Sequence, residues 1–187
     1  MLKIVLTILL VVGPHSITTS EARHMVRTTK ARFREVGVEL QVQPIRRIKD
    51  LHPEFHFIRQ RGKRLEFWAN YIRRNNLNKN GIVYVVLPPM YEEPPVQYYL
   101  SGGSGYSCTQ NGVAVGNAES VNALREDRIH QSTEIMVHNI AHILGAFDSD
   151  DIRTIMNTDM KLLPGNKLPH FNGESRLEIN YCLTGIL

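Results

Sequence analysis

The stretch Ser132-Thr-Glu-Ile-Met-Val-His138-Asn139-Ile-Ala-His142-Ile-Leu-Gly145-Ala-Phe-Asp148 limits, more than any other, what this chain can fold into. A helix with 3.6 residues per turn stacks position i over i+4, so His138 and His142 share one face. Two imidazoles one turn apart can grip a tetrahedral metal ion, and Zn²⁺ is the usual occupant. Gly145 can take the left-handed conformation that stops a helix and swings the chain back. Asp148 follows at a spacing that can bring a third ligand to the same point. The competing reading is a helix with two surface or core histidines and no metal.

With 187 residues, 42% of them hydrophobic, the chain can bury one ordinary core, and a single domain is expected. Its start has the form of a secretory signal: Lys3, an apolar run over residues 4–12, Gly13-Pro14, and the small-x-small site Ser20-Glu21-Ala22. Residues 1–22 are therefore expected to be removed, leaving a secreted, extracellular domain over residues 23–187. The alternative for the same run is a buried amino-terminal strand. No stretch reaches the roughly 20 apolar residues that a membrane-spanning helix needs, so no membrane partner is expected.

The net charge of +4 is modest and spread out, which gives no ground for a nucleic-acid partner. One local cluster, Arg59-Gln-Arg-Gly-Lys-Arg64, can make weak contact with a polyanion such as heparin, and its last four residues also have the form of a furin-type cleavage site. Cys108 and Cys182 are the two cysteines. In an oxidising compartment a lone pair usually bridges, although two separate thiols fit the same count. Closing so long a loop would restrict the unfolded chain by roughly 4–5 kcal/mol.

Along the chain, Ala31, Phe33 and Val36 can line a short helix over residues 25–36 that ends at Gly37. Val38-Glu-Leu-Gln-Val42 alternates at period two, as a half-buried strand does, and Pro44-Ile-Arg-Arg-Ile48 can extend it past a bend. Residues 49–62 read as a packed loop or a short strand. Leu65, Trp68, Ala69 and Ile72 recur at helical spacing, with Trp68 a core anchor and Arg73 and Arg74 at the negative helix end. Gly81-Ile-Val-Tyr-Val-Val-Leu87 is continuously apolar, which suits a central strand covered on both faces. The prolines at 88, 89, 94 and 95 place a stiff surface excursion next, Gly102-Gly-Ser-Gly105 permits a tight turn, and Gly112-Val-Ala-Val-Gly116 is a short strand. A terminal helix follows Pro164-Gly165, with Ser175 as its cap and Leu177 and Ile179 partly buried. The fold class is α/β (α+β): a mixed twisted sheet, an active-site helix and a small carboxy-terminal subdomain.

The histidine stretch resembles the metzincin zinc-peptidase motif, His-Glu-x-x-His-x-x-Gly-x-x-His. Asn139 stands where that motif has Glu, and Asp148 where it has the third His. Taken with the rest of the chain from about Thr28 onward, the pattern is similar to the reprolysin-like (adamalysin, M12B) branch, in its small secreted arthropod or venom forms. Ile155-Met156 resembles the Met-turn that underlies the zinc site. Cys108-Thr-Gln-Asn-Gly-Val-Ala-Val115 resembles the edge region that carries one disulfide cysteine, and Phe171, Ser175 and Ile179 resemble the Phe-Ser-x-Cys segment near the end. The resemblance implies a Cys108–Cys182 bridge. Thr154 and Glu174 stand where the family has further cysteines. The family's strand ahead of the first helix, and any propeptide, are expected to be missing.

The resemblance further implies one Zn²⁺ held by His138, His142 and Asp148, a monomer, and a protein or peptide in the cleft. In the family, metal-polarised water attacks the scissile carbonyl while Glu takes and returns a proton. Asn139 cannot accept a proton at neutral pH, and loss of a positioned base slows such chemistry by roughly 10²–10⁴-fold. Asp150 and Glu134 are the carboxyls available as substitutes, though Glu134 sits one turn back from His138. Two functions follow as expectations: a metalloendopeptidase-like protein of impaired activity, or an inactive zinc-binding pseudopeptidase that holds peptides or partners.

Overall fold

The apolar run at the amino end is the strand on which the sheet is assembled. The computed structural model describes residues 1–13, 15–51, 61–88, 97–100, 112–117, 125–157 and 169–184. In it, β1 (Leu2–Val12) pairs in parallel with β2 (Val38–Val42) and β3 (Arg46–Lys49) on one side and with β4 (Ile82–Leu87) on the other. Beyond β4 come β6 (Val113–Asn117), parallel to it, and β5 (Gln97–Leu100), which pairs antiparallel with β6. The strand order is β2-β1-β4-β6-β5, with β3 paired to β1.

This corrects the expectation of a leader. Ile4, Leu6, Ile8, Leu9, Leu10 and Val11 are all buried. Successive side chains alternate between faces of a strand, so Ile4, Leu6, Ile8 and Leu10 enter the core on one face while Leu9 and Val11 enter that on the other. A run buried on both faces and a leader's apolar segment have the same composition, and here the first is built. The strand expected to be missing ahead of the first helix is therefore present as β1. The expected boundary at residue 22 also cuts the first turn of α1 (Thr19–Arg34), whose cap is Thr18. The Thr18 hydroxyl accepts from the Glu21 amide at 3.2 Å, and the Glu21 carboxylate accepts from the Thr18 amide at 2.8 Å, a reciprocal capping box.

Among the described residues, three helices cover the sheet and a fourth follows at the carboxy end. Helices α1 and α3 (Arg125–Ile143) lie on one face, where Met25, Phe33, Met136 and Ile140 pack with the even residues of β1 and with Tyr84. Helix α2 (Arg61–Arg74) covers the other, and Trp68 and Ile72, both fully buried, meet Leu9, Val11, Val83 and Val85. All six residues of β4 are buried, as its continuous apolar pattern predicts. Helix α4 (Gly173–Thr184) closes the carboxy end. Its cap is Asn172 rather than Ser175: the Asn172 Oδ1 accepts from the Ser175 amide and hydroxyl, each at 2.8 Å, and Ser175 itself is buried. Ile179 is buried as expected, but Leu177 is 68% exposed, because it falls on the outer face of α4.

Arg61 and the residues up to Arg64 open α2 rather than a loop, while Arg59 lies outside the described residues. So do the proline-rich excursion from 89 to 96, the Gly102–105 turn, nearly all of the 49–62 stretch, and Cys108. Cys182, near the end of α4, is disulfide-bonded. Among the described residues no helix is long and apolar enough to cross a membrane.

Candidate metal centre

Helix α3 ends at Ile143, and the way it ends builds the site. Gly145 has φ of 94° and so occupies the left-handed region. The Ala146 amide donates back to the Ala141 carbonyl at 3.0 Å, and the Gly145 amide to the His142 carbonyl at 3.0 Å, the paired bonds of a Schellman turn. The reversed chain then presents the Ala146 carbonyl to His142, whose Nδ1 lies 2.8 Å from it. A second carbonyl, Ile155 O in the turn before Met156, sits 2.9 Å from His138 Nδ1. Each carbonyl can only accept, so each fixes its ring with the proton on Nδ1 and the lone pair on Nε2.

Those lone pairs converge. His138 Nε2 and His142 Nε2 are 2.8 Å apart. Asp148 Oδ1 lies 3.3 Å from the first and 3.2 Å from the second. Three acceptor atoms that face one another repel unless a cation sits among them. A tetrahedral zinc site with bonds of about 2.0–2.2 Å has edges of about 3.3–3.6 Å. The two edges to Asp148 fit, and the edge between the rings is about half an ångström short. The donor set, two neutral imidazoles and one carboxylate, is a known zinc set with room for a further ligand. The residues present therefore suit Zn²⁺, and among the described residues this is the one such group.

Protonation agrees with that role. Burial, followed by the proximity of His138, pushes the His142 imidazole down to about 4, against the Ala146 carbonyl and Asp148. At neutral pH it is a free ligand. Asp148 is half exposed, and its contact with His138, helped by His142, holds its carboxyl below the usual range. In the metal-free chain that attraction needs a proton among these groups, the place a cation would take.

The Met-turn is tied to the rest of the carboxy segment. Met156 is fully buried beneath the ligand helix, in the core of α1 and α3. The Ser149 amide donates to the Met156 carbonyl at 2.8 Å, which holds the chain just after Asp148. Thr154, where the resembled family has a cysteine, is buried, and its hydroxyl accepts from the Asn172 amide at 3.3 Å. This hydrogen bond joins the turn before Met156 to the segment that leads into α4.

Asn139 is not part of the converging group. It is fully buried, and its carboxamide is hydrogen-bonded with the Tyr84 hydroxyl of β4. Ile135, one turn earlier, packs toward Gly116, so this side of α3 is the one laid on the sheet. Gly116 leaves the space that Tyr84 fills, since a Cβ there would overlap the phenol oxygen. Burial pushes the Tyr84 hydroxyl well above its ordinary range, so it stays protonated. Glu134 lies on the ligand stripe, one turn before His138. It is 2% exposed, its Oε2 has no hydrogen-bond partner, and burial pushes it up to about 7. Asp150 is exposed.

By sequence, the chain matches no protein-family model and no curated protein. By structure, it is similar to metalloproteinase-II from Bacteroides fragilis, at TM-score 0.64 and 11% identity over 97% of this chain and 53% of that one. It is also similar to a zinc-dependent peptidase from Methanocorpusculum labreanum (TM-score 0.56, 12% identity, 94% of this chain and 100% of that one) and to archaemetzincin from Methanopyrus kandleri (0.57, 17%, 97% and 95%). The chain shares its fold with these three zinc-dependent or metalloproteinase structures. Within this fold, His138, His142 and Asp148 stand together as a group that could hold a metal ion. The roles of Tyr84 and of the carbonyls of Ala146 and Ile155 had no side-chain signal; only Gly145 and the Ile155-Met156 turn pointed toward the latter two.

Proposed function

We propose that this protein is a zinc-binding relative of the metzincin peptidases, with reprolysin-like motifs, that holds peptide segments at its metal without cleaving them. The convergence of three acceptor atoms, two of them fixed by backbone carbonyls, carries the reading. When bound, Zn²⁺ supplies Lewis-acid polarisation of a carbonyl and of water. His138 and His142 would hold it as neutral rings, and the Asp148 charge would leave it less acidic than a third imidazole would. Asn139 offers no proton-accepting atom at neutral pH, and Tyr84 engages its side chain on the sheet side. The chain therefore keeps what binds a peptide carbonyl and lacks the base usual at that position.

A second reading, a slow but working endopeptidase, draws support from Glu134, whose carboxyl titrates near neutrality one turn from His138. One experiment separates the two. Zinc content and cleavage of a quenched peptide library are measured for the wild type and for Glu134→Gln, with and without chelator. Stoichiometric zinc, peptide binding and no chelator-sensitive cleavage are expected. Chelator-sensitive turnover abolished by Glu134→Gln would establish the slow enzyme instead, and a chain that takes up no zinc would overturn both.

A further inference from the structure

Helix α1 carries a feature unrelated to the metal. Arg23, Arg27, Lys30 and Arg34 fall at i, i+4, i+7 and i+11, within an arc of about 60° at 100° per residue. Along the axis they span about 16 Å. Arg23, Arg27 and Arg34 are exposed and Lys30 is half-buried. Among the described residues, none of the four has an acidic partner. The carboxylates near them are engaged elsewhere: Glu21 closes the helix cap, and Glu35 pairs with Arg32 at 2.6 Å and His170 at 2.9 Å.

The charge is segregated. Helix α1 alone holds five Lys and Arg against one Glu, an excess of four that equals the +4 of the whole chain. A field of one sign on one face attracts a polyanion, while a scattered +4 does not.

We infer that the outer face of α1 is a docking surface for a linear sulfated polysaccharide. A single straight row of cations suits a single charged chain laid along it. Charge alone is offered: the row contains no aromatic side chain on which a base could stack, and no Asn or Gln to read one. Nor does it carry the apolar flank that seats a helix in a lipid interface. The residues of this row are other than those of the Arg59–Arg64 sequence cluster.

The test uses the full chain and a size-fractionated heparin oligosaccharide, with binding followed by calorimetry across a salt series. Arg23→Gln/Arg27→Gln is compared with the charge-matched pair Arg73→Gln/Arg74→Gln on α2, and thermal melts confirm that both variants fold. The α1 pair is expected to lower the slope of log affinity against log salt by about two, one for each contact removed, while the α2 pair leaves it unchanged. Equal weakening by the two pairs would reduce the effect to net charge and overturn the inference. Absence of binding at physiological ionic strength would do the same. Tighter binding to single-stranded DNA of matched charge, or to phosphatidylserine vesicles, would overturn the choice of partner.

Discussion

Glu134 should make the metal-free protein lose stability as pH rises toward neutrality, and Glu134→Gln should remove that loss. The carboxyl is 2% exposed and burial raises it from 4.5 to about 7. Below pH 4.5 the folded and unfolded chains both hold the proton, and the group contributes no pH dependence. Between 4.5 and 7 the unfolded chain releases the proton while the folded one keeps it, so folding becomes less favourable as pH rises. Above 7 the difference is complete. Each tenfold change in proton affinity is worth about 1.4 kcal/mol, which gives about 0.4 kcal/mol at pH 4.5 and about 3 kcal/mol at pH 8. The neutral Gln has the same shape and does not titrate. Urea unfolding in the presence of chelator, at both pH values, should show the variant gaining about 3 kcal/mol over the wild type at pH 8 relative to its position at pH 4.5. For a chain of this size the corresponding melting shift is about 6–12 °C. A difference between the two proteins that is the same at both pH values would refute the burial argument.

Deletion of residues 1–22 should abolish folding, seen as loss of near-ultraviolet dichroism and of dispersed amide resonances. It removes six buried apolar side chains of β1, each worth about 1.5–3 kcal/mol, which together match or exceed the roughly 5–15 kcal/mol net stability of a domain. Gly116→Ala should destabilise by about 1–3 kcal/mol, because the added methyl overlaps the Tyr84 phenol oxygen. Tyr84→Phe in that background should recover part of the loss, read in a double-mutant cycle by urea titration. Asp148→Ala should weaken zinc binding by more than the roughly 10–100-fold typical of losing an outer partner of a ligand, measured by competition with a chromophoric chelator.

Where a pattern has one physical cause, the sequence was enough. The continuous apolar run of β4 can be covered only on both faces, and the i, i+4 histidines with Gly145 and Asp148 predict a helix, a stop and a third ligand, which the structure brings within 4.8 Å. Where one pattern has two causes, the wrong one was chosen. An apolar run behind a lysine suits a leader and a central strand alike. The Thr18-x-x-Glu21 signature, which marks a helix start, lay under the supposed cleavage site. Asn172 and Ser175 both have capping chemistry, and only the backbone geometry decides between them. The engagement of Asn139 by Tyr84 was beyond reach, since periodicity places a residue on a face but does not say which strand residue it meets.

The central place of β1 has a consequence for synthesis. It leaves the ribosome well before β4, since the register pairs Leu6 with Ile82, seventy-six positions later. At roughly 5–20 residues per second, about 4–15 s pass before that neighbour exists. For that interval the most apolar segment of the nascent chain has no finished sheet to join, and parallel pairing over such a distance forms slowly. Whatever shelters a nascent strand of this kind, a chaperone or early contact with α1, acts on the same eleven residues that later hold the sheet together.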